Sequence, residues 1–247
     1  MTQATGLPPL RGWWFSLATG DFDGDGRPDI VAGNLGLNYA YATSKDSPFG
    51  IYAADFTGGR KTDVILTKQV NGTEYPYAGI AQLSDAIYQL GIRFPTFGSF
   101  ASVSVAQAFG ESQLERALHY QADTFASMYF HNDGAGKFSA MPLPNLVQIA
   151  PVKAILVSDI DGDGRLDLMV AGNLYEAEPN TPRADAGNGL WLRGDGKGHF
   201  IPVPPGQSGF LAPLNASGLS LINTAKGKAV LVANSGGSLQ VFRISKH

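Results

Sequence analysis

The sequence lacks cysteine and contains few charged residues. The absence of cysteine excludes disulfide bonds, thiolate metal sites and a cysteine nucleophile. Charged residues make up 16% of the 247 residues, and there is no basic run of five or more, which argues against a nucleic-acid partner. No apolar run approaches the roughly 18 to 20 residues that a membrane-spanning helix needs. The first residues, MTQATGLPPLRGWW, lack the cationic and apolar segments of a signal peptide, so none is expected in the given chain.

Glycine and proline are abundant instead. The chain contains 31 glycines and 15 prolines, which favours many turns and few long helices. Hydrophobic residues make up 44% of the chain, enough for a folded core. This composition argues against a helical bundle and against disorder.

An acidic nine-residue motif occurs twice. Residues 21–29 read DFDGDGRPD and residues 159–167 read DIDGDGRLD, and each is followed after a short apolar run by Ala-Gly-Asn-Leu. These two windows hold eight of the 21 acidic residues. A degenerate copy, DFTGGRKTD at 55–63, keeps only the first and last carboxylates. The motif therefore marks an internal repeat.

A second element, a glycine-rich hairpin turn, follows the motif along the chain. It reads NDGAGKF at 132–138 and GDGKGHF at 194–200, each between apolar segments. Together the two elements predict an all-β fold, a β-propeller or partial propeller of three to four four-stranded blades in a single domain over 1–247. Helical spacing predicts a helical insertion at about 81–122, and residues 124–138, TFASMYFHNDGAGKF, are then expected to complete the blade of the degenerate copy.

The motif has the composition of a binding loop for a hard cation. Its carboxylates stand at positions 1, 3, 5 and 9, glycines at 4 and 6 allow unusual backbone angles, and position 7 offers a carbonyl. An EF-hand would need glutamate at position 12, where this chain has Ala32 and Val170. The sequence thus predicts two structural Ca²⁺ sites, with solvated Asp-Gly turns as the alternative. The degenerate copy is a weak third metal candidate through Asp55, Thr57 and Asp63, and a metal-free turn is the favoured interpretation there.

These segments resemble the FG-GAP or VCBS repeats of integrin α-subunit β-propellers and of secreted bacterial proteins. GWWFSLATGDFDGDGRPDIVAGNLGLN and SDIDGDGRLDLMVAGNLY are similar in particular to bacterial VCBS proteins related to the ASPIC/UnbV and cartilage-acidic-protein group. The resemblance implies an extracellular, periplasmic or cell-surface location. It also implies the following calcium ligands: Asp21, Asp23, Asp25, Asp29, Asp159, Asp161, Asp163 and Asp167, with backbone carbonyls from Arg27 and Arg165.

Propellers of this family commonly have about seven blades. A chain with three or four is expected to be a fragment, a small propeller, or a subunit that completes a ring with another copy. Unpaired outer strands would otherwise leave exposed sheet edges.

The function expected from the sequence is a non-catalytic module for protein interaction or adhesion. No sequence motif of a known catalytic site occurs, and the four histidines, His119, His131, His199 and His247, lie in no recognisable catalytic pattern. Enzymatic activity stays open, because the sequence does not say which carboxylates meet in space. The alternative is a carbohydrate-binding module or a polysaccharide-active enzyme or accessory domain. The residues Asn34, Asn38, Tyr39 and Tyr41 form a possible ligand loop, since they follow a predicted strand.

Overall fold

The structure, a computed structural model, describes residues 6–177 and 181–245. These residues form a mostly β protein with fifteen strands in four antiparallel sheets and six short α-helices. The predicted all-β class is confirmed at this level. Among the described residues, none of the helices combines the length and apolarity required to span a bilayer.

The chain divides into two compact units. Met1–Ala40 together with Phe125–His247 form the main unit, and Tyr41–Thr124 form the inserted unit. Each is described by itself below.

The first sheet of the main unit is built from two distant parts of the chain. Its strand order is β1-β2-β7-β8, with β1 at Ser16–Gly20, β2 at Asp29–Gly33, β7 at Met128–Gly134 and β8 at Lys137–Pro142. The sequence predicted that residues 124–138 would join the blade of the degenerate copy, and this was wrong. The structure pairs β7 with β2, Val31 opposite Tyr129, so this hairpin completes the sheet of the first full motif.

The second and third sheets follow in chain order. The second sheet has the order β9-β10-β11-β12, with β9 at Ala154–Ser158, β10 at Asp167–Ala171, β11 at Leu190–Gly194 and β12 at Phe200–Val203. The third sheet has the order β13-β14-β15, with β13 at Ala216–Thr224, β14 at Gly227–Asn234 and β15 at Gln240–Arg243. A 3₁₀ turn at Asn145–Ile149 precedes β9, and helix α6 at Pro205–Ser208 follows β12.

The second sheet packs between the other two sheets of the main unit. Alternate residues of a strand point to opposite faces of a sheet. Leu168 and Val170 of β10 lie in one apolar cluster with Val31 and Tyr129 of the first sheet. Met169 and Ala171 lie in another cluster with Val230 and Val232 of the third sheet. All five residues of β10 are buried for this reason, and DLMVA reads as a nearly continuous apolar run.

The inserted unit contains one sheet and five short helices. The sheet has the order β5-β4-β3-β6, with β3 at Phe49–Ala54, β4 at Asp63–Val70, β5 at Thr73–Pro76 and β6 at Leu118–Ala122. The helices are α1 at Ile80–Ala86, α2 at Tyr88–Arg93, α3 at Phe97–Phe100, α4 at Val105–Phe109 and α5 at Glu111–Leu114. They cover one sheet face, where Tyr52 and Ile65 share a buried cluster with Leu83 and Phe109.

The inserted sheet differs from the first two sheets in one respect. In those sheets the strand before the acidic loop, β1 or β9, is an edge strand. In the inserted sheet the equivalent strand, β3, carries the additional strand β6 on that edge. The degenerate motif therefore lies in a sheet of different construction.

Candidate metal sites in the acidic loops

The three acidic segments form loops with the same backbone conformation. We call 21–29 the first full loop, 159–167 the second full loop and 55–63 the degenerate loop. In each loop the residues at positions 4 and 6 have positive φ, which is the left-handed backbone region that favours glycine. The angles are 77° and 84° at Gly24 and Gly26, 83° and 87° at Gly162 and Gly164, and 74° and 61° at Gly58 and Arg60. The degenerate loop adopts this shape although an arginine stands at position 6.

The carboxylate at position 1 organises the start of each loop. Asp21 Oδ1 accepts a hydrogen bond from the Gly24 N–H at 2.8 Å, and Asp21 Oδ2 accepts one from the Gly26 N–H at 2.9 Å. Asp159 accepts the equivalent bonds at 2.7 and 3.0 Å. In the degenerate loop, Asp55 Oδ2 accepts from the Arg60 N–H at 2.7 Å. A carboxylate oxygen can accept more than one partner, so these bonds leave capacity for a cation.

The carboxylate at position 9 ties each full loop to the third strand of its sheet. Asp29, 1% exposed, accepts from the Asn132 N–H at 2.8 Å through Oδ1 and from the Tyr129 hydroxyl at 2.7 Å through Oδ2. Asp167 accepts from the Gly194 N–H at 2.9 Å. Burial raises the pKa of Asp167, and burial together with Asp29 raises the pKa of Tyr129. These aspartates connect parts of the chain far apart in sequence.

The carboxylates at positions 3 and 5 are not needed for the loop shape. The degenerate loop has Thr57 and Gly59 there and still forms. In the full loops these positions hold four aspartates: Asp23, Asp25, Asp161 and Asp163. Like charges at such spacing repel one another, which is a cost unless a cation or a donor compensates it. The loop shape and the extra negative charge are therefore separate features.

Several of these carboxylates converge. Asp23, Asp25 and His131 can each place one ligand atom within 4.8 Å of the others, and so can Asp159, Asp161 and Asp167. The second group offers only carboxylate oxygens, which suits a hard cation such as Ca²⁺. The guanidinium of Arg27 contacts Asp25, and that of Arg165 lies 3.8 Å from Asp163, while the carbonyls of both arginines remain the predicted donors.

His131 is a site residue that the sequence did not single out. Its Nε2 lies 2.8 Å from Asp23 Oδ2, and its Nδ1 lies 2.8 Å from Asp133 Oδ1. The bonds to Asp133 and Asp23 raise the pKa of His131. Burial raises the pKa of Asp23, but the hydrogen bonds from His131 and from the Asp25 N–H, together with the charge of His131, outweigh burial and lower the pKa overall. The imidazole is hydrogen-bonded on both sides, so it orients Asp23.

His119 and His199 do not join these loops. His119 stacks on Tyr52 with ring centroids 4.0 Å apart, and His199 Nδ1 lies 3.0 Å from Asp195 Oδ2. His247 lies outside the described residues. No sequence signal linked His131 to Asp23, because β7 was assigned to another sheet.

The predicted ligand loop is only partly accessible. Asn34 is fully buried, where it accepts from the Trp13 N–H at 3.0 Å and donates to the Ala126 carbonyl at 3.1 Å. Tyr41 is 8% exposed and packs 4.8 Å from the Phe49 ring. Of the four predicted residues, Asn38 is exposed and Tyr39 half-buried. Asn34 and Tyr41 are therefore buried among protein contacts.

Comparison with known protein families finds a described repeat that contains the first full loop. A model of the FG-GAP repeat matches residues 13–44, which contain β1, the first full loop and β2. A search of curated proteins finds no match. The chain thus carries an FG-GAP repeat, and the geometry of the second full loop repeats that of the matched segment.

Proposed function

We propose that this chain is a calcium-binding, non-catalytic interaction module of the β-propeller type. The proposal includes the closer resemblance to VCBS and integrin-like repeats and an extracellular or cell-surface location, in which FG-GAP repeats typically occur. Two Ca²⁺ ions are assigned to the full loops. The degenerate loop, with Asp55, Thr57 and Asp63, is proposed to be a metal-free turn.

The observation that carries the proposal is the comparison of the three loops. Asp55 and Asp63 suffice for the loop conformation, so the further aspartates of the full loops serve another purpose. Oxygen donors that converge within 4.8 Å, as Asp159, Asp161 and Asp167 do, fit Ca²⁺, which accepts six to eight oxygen ligands. Ion binding at a loop between two strands stabilises the folded state only.

The packing of the main unit supports the propeller part of the proposal. Strand β1 lies beside β9, and β9 lies beside β13. The three sheets thus stack face to face with their first strands adjacent, as successive propeller blades do.

An exposed apolar face supports the interaction part. In the inserted sheet, Ala53 stands opposite both Val64 and Leu118, so these side chains share one face. Val64, Leu118 and the nearby Tyr120 are 59%, 62% and 67% exposed. Exposed apolar side chains that share one face often mark an interaction surface, whereas single scattered ones do not. A protein partner, including a second copy of this chain, is therefore favoured over a carbohydrate.

The carbohydrate alternative has less support. Trp13 packs 5.3 Å from the Phe125 ring, and Trp14 packs 6.2 Å from the Phe130 ring. Aromatic rings engaged in this way are not free platforms for sugar stacking.

Calcium titration of the metal-free protein by isothermal calorimetry tests the proposal. We expect two ions per chain, one after Asp161→Asn/Asp163→Asn, and one after Asp23→Asn/Asp25→Asn. Ca²⁺ at one hundred times its Kd should stabilise the fold by about 2.7 kcal/mol per site. Asparagine keeps the acceptor that the loop backbone uses, so the variants should fold.

The matched control is Glu111→Gln/Asp185→Asn, which removes the same charge from exposed positions outside the loops. It should retain two ions. A thermal midpoint that is the same in Ca²⁺ and in EGTA, or stoichiometry that the loop variants leave unchanged, would rule out the calcium assignment.

A further inference from the structure

One hairpin of the second sheet contacts both full loops. It comprises residues 194–200, GDGKGHF, which connect β11 to β12, and we call it the shared hairpin. Asp195 Oδ1 accepts hydrogen bonds from the Lys197 N–H at 2.8 Å and from the His199 N–H at 3.1 Å. Asp195 Oδ2 lies 3.0 Å from His199 Nδ1. The turn therefore holds its shape through its own side-chain hydrogen bonds.

One end of the shared hairpin is attached to the second full loop. The Gly194 N–H donates to Asp167 Oδ1 at 2.9 Å. A Cβ added at Gly196 would lie 3.1 Å from the Arg165 side chain, so this arginine packs against the turn. Asp167 is one of three residues of this loop whose carboxylate oxygens converge within 4.8 Å. A cation held by these oxygens would therefore also fix the residue to which Gly194 is bonded.

The other end is attached to the first full loop, which belongs to the neighbouring sheet. The Gly198 N–H donates to the Phe22 carbonyl at 3.2 Å. Phe200 is 8% exposed, and its ring centroid lies 5.2 Å from that of Phe22. Phe22 stands between Asp21 and Asp23, two of the predicted ligands. A cation in the first full loop would therefore restrict the residue against which the shared hairpin packs.

A further contact joins the two loops directly. Gly20 precedes Asp21 at the start of the first full loop, and Leu166 precedes Asp167 at the end of the second. A Cβ added at Gly20 would lie 3.0 Å from the Leu166 side chain. Leu166 also packs against the buried cluster that contains Phe22. The two loops are thus connected through one continuous packed region.

We propose that the two full loops bind Ca²⁺ with positive cooperativity, because one loaded loop positions the shared hairpin for the other. The hairpin loses conformational freedom when one ion binds, so the second ion has less order to impose. The coupling is reciprocal, since each ion changes the affinity for the other by the same factor. Direct repulsion between two cations has the opposite sign and gives negative cooperativity. The inference rests on the proposed calcium binding and adds its regulation.

Single-site variants measure this coupling at constant charge. Asp23→Asn/Asp25→Asn removes two negative charges from the first full loop, the same number that a bound Ca²⁺ neutralises there. Asp161→Asn/Asp163→Asn does the same at the second full loop. Isothermal calorimetry of each variant gives the dissociation constant of the remaining site. The product of the two wild-type dissociation constants should be at least about fivefold smaller than the product of these single-site constants.

A substitution in the shared hairpin tests the route of the coupling. Phe200→Ala removes the ring that packs on Phe22 and should make the two products equal when the same comparison is repeated in its background. The matched control is Ile201→Ala, at the next residue of β12, where the side chain is 48% exposed. This control should keep the wild-type coupling.

Amide hydrogen exchange gives a second readout that does not depend on how well Phe200→Ala folds. In Asp161→Asn/Asp163→Asn only the first full loop can bind the ion. Ca²⁺ should nevertheless slow exchange across the shared hairpin of the other sheet at least about fivefold, Gly198 included. The turn between β13 and β14, at 224–227, is the control and should exchange at an unchanged rate.

The outcomes separate the coupling from the calcium assignment. Equal products in the wild type, or unchanged exchange in the shared hairpin, overturn the coupling. Coupling that Phe200→Ala leaves intact overturns the role of the hairpin. Two ions that bind independently leave the calcium assignment in place, whereas the absence of calcium uptake at both loops overturns the assignment and the coupling together.

Discussion

At the scale of single residues, the asparagine that follows β2 and β10 stabilises the fold through buried hydrogen bonds. Asn173 is fully buried, and its amide donates to the carbonyls of Gly187, Pro213 and Leu214 at 3.0 to 3.1 Å. It also accepts from the Gly187 N–H at 2.9 Å. Asn34 holds the equivalent place in the first repeat. The Ala-Gly-Asn-Leu repeat thus reflects buried hydrogen bonding, since buried polar groups require partners.

Asn173→Ala should lower the free energy of unfolding by about 1 to 3 kcal/mol, because it leaves several buried backbone groups without a partner. Urea denaturation measures this change. Asn38→Ala, at an exposed position, should change the free energy by less than about 0.5 kcal/mol. Equal effects of the two substitutions would contradict a stabilising role for the buried hydrogen bonds of Asn173.

At the scale of elements, the loops show that backbone shape and charge are encoded by different positions. Positions 1, 4, 6 and 9 determine the conformation, since the degenerate loop keeps its carboxylates at 1 and 9 and its positive φ at 4 and 6. Positions 3 and 5 vary without altering it. A loop without carboxylates at positions 3 and 5 can therefore still connect two strands.

Gly164→Ala should destabilise the protein by about 1 to 2 kcal/mol. Its φ is 87°, and no atom lies within 4 Å of an added Cβ, so the cost comes from the backbone alone. Gly206→Ala is the matched control, because its surroundings are equally open and its φ is not positive. Thermal unfolding in EGTA checks both, and a neutral Gly164→Ala would show that the loop relaxes to another conformation.

At the scale of the whole molecule, the inserted unit interrupts a single sheet. Residues 41–124 lie between β2 and β7, which are hydrogen-bonded neighbours. The two ends of the main unit meet there, since the Gly36 N–H donates to the Phe125 carbonyl at 2.8 Å. A compact segment whose attachment points are close together is tolerated as a domain insertion.

Replacement of residues 41–124 by a short glycine-serine linker should therefore leave the main unit folded. We expect cooperative unfolding and retention of both proposed calcium sites, measured by calorimetry and by an amide NMR spectrum. Aggregation, or loss of calcium binding at the first full loop alone, would show that the first sheet needs the inserted unit.

The motif spacing predicted the loops and the strands around them, but not the composition of the first sheet. Asp21, Asp23, Asp25 and Asp29 lie within nine residues, so their grouping is local and visible in the sequence. His131 lies 108 residues from Asp23, and only pairing of β7 with β2 brings the two together. Asn34 and Tyr41 of the predicted ligand loop are buried, because exposure depends on packing that the local pattern does not contain.

Local sequence accounts for the acidic loops, because glycines at fixed positions and short-range hydrogen bonds set their conformation and the carboxylates lie within nine residues. Tertiary structure alone decided which hairpin completes which sheet, because strand pairing across an 84-residue inserted unit leaves no local trace.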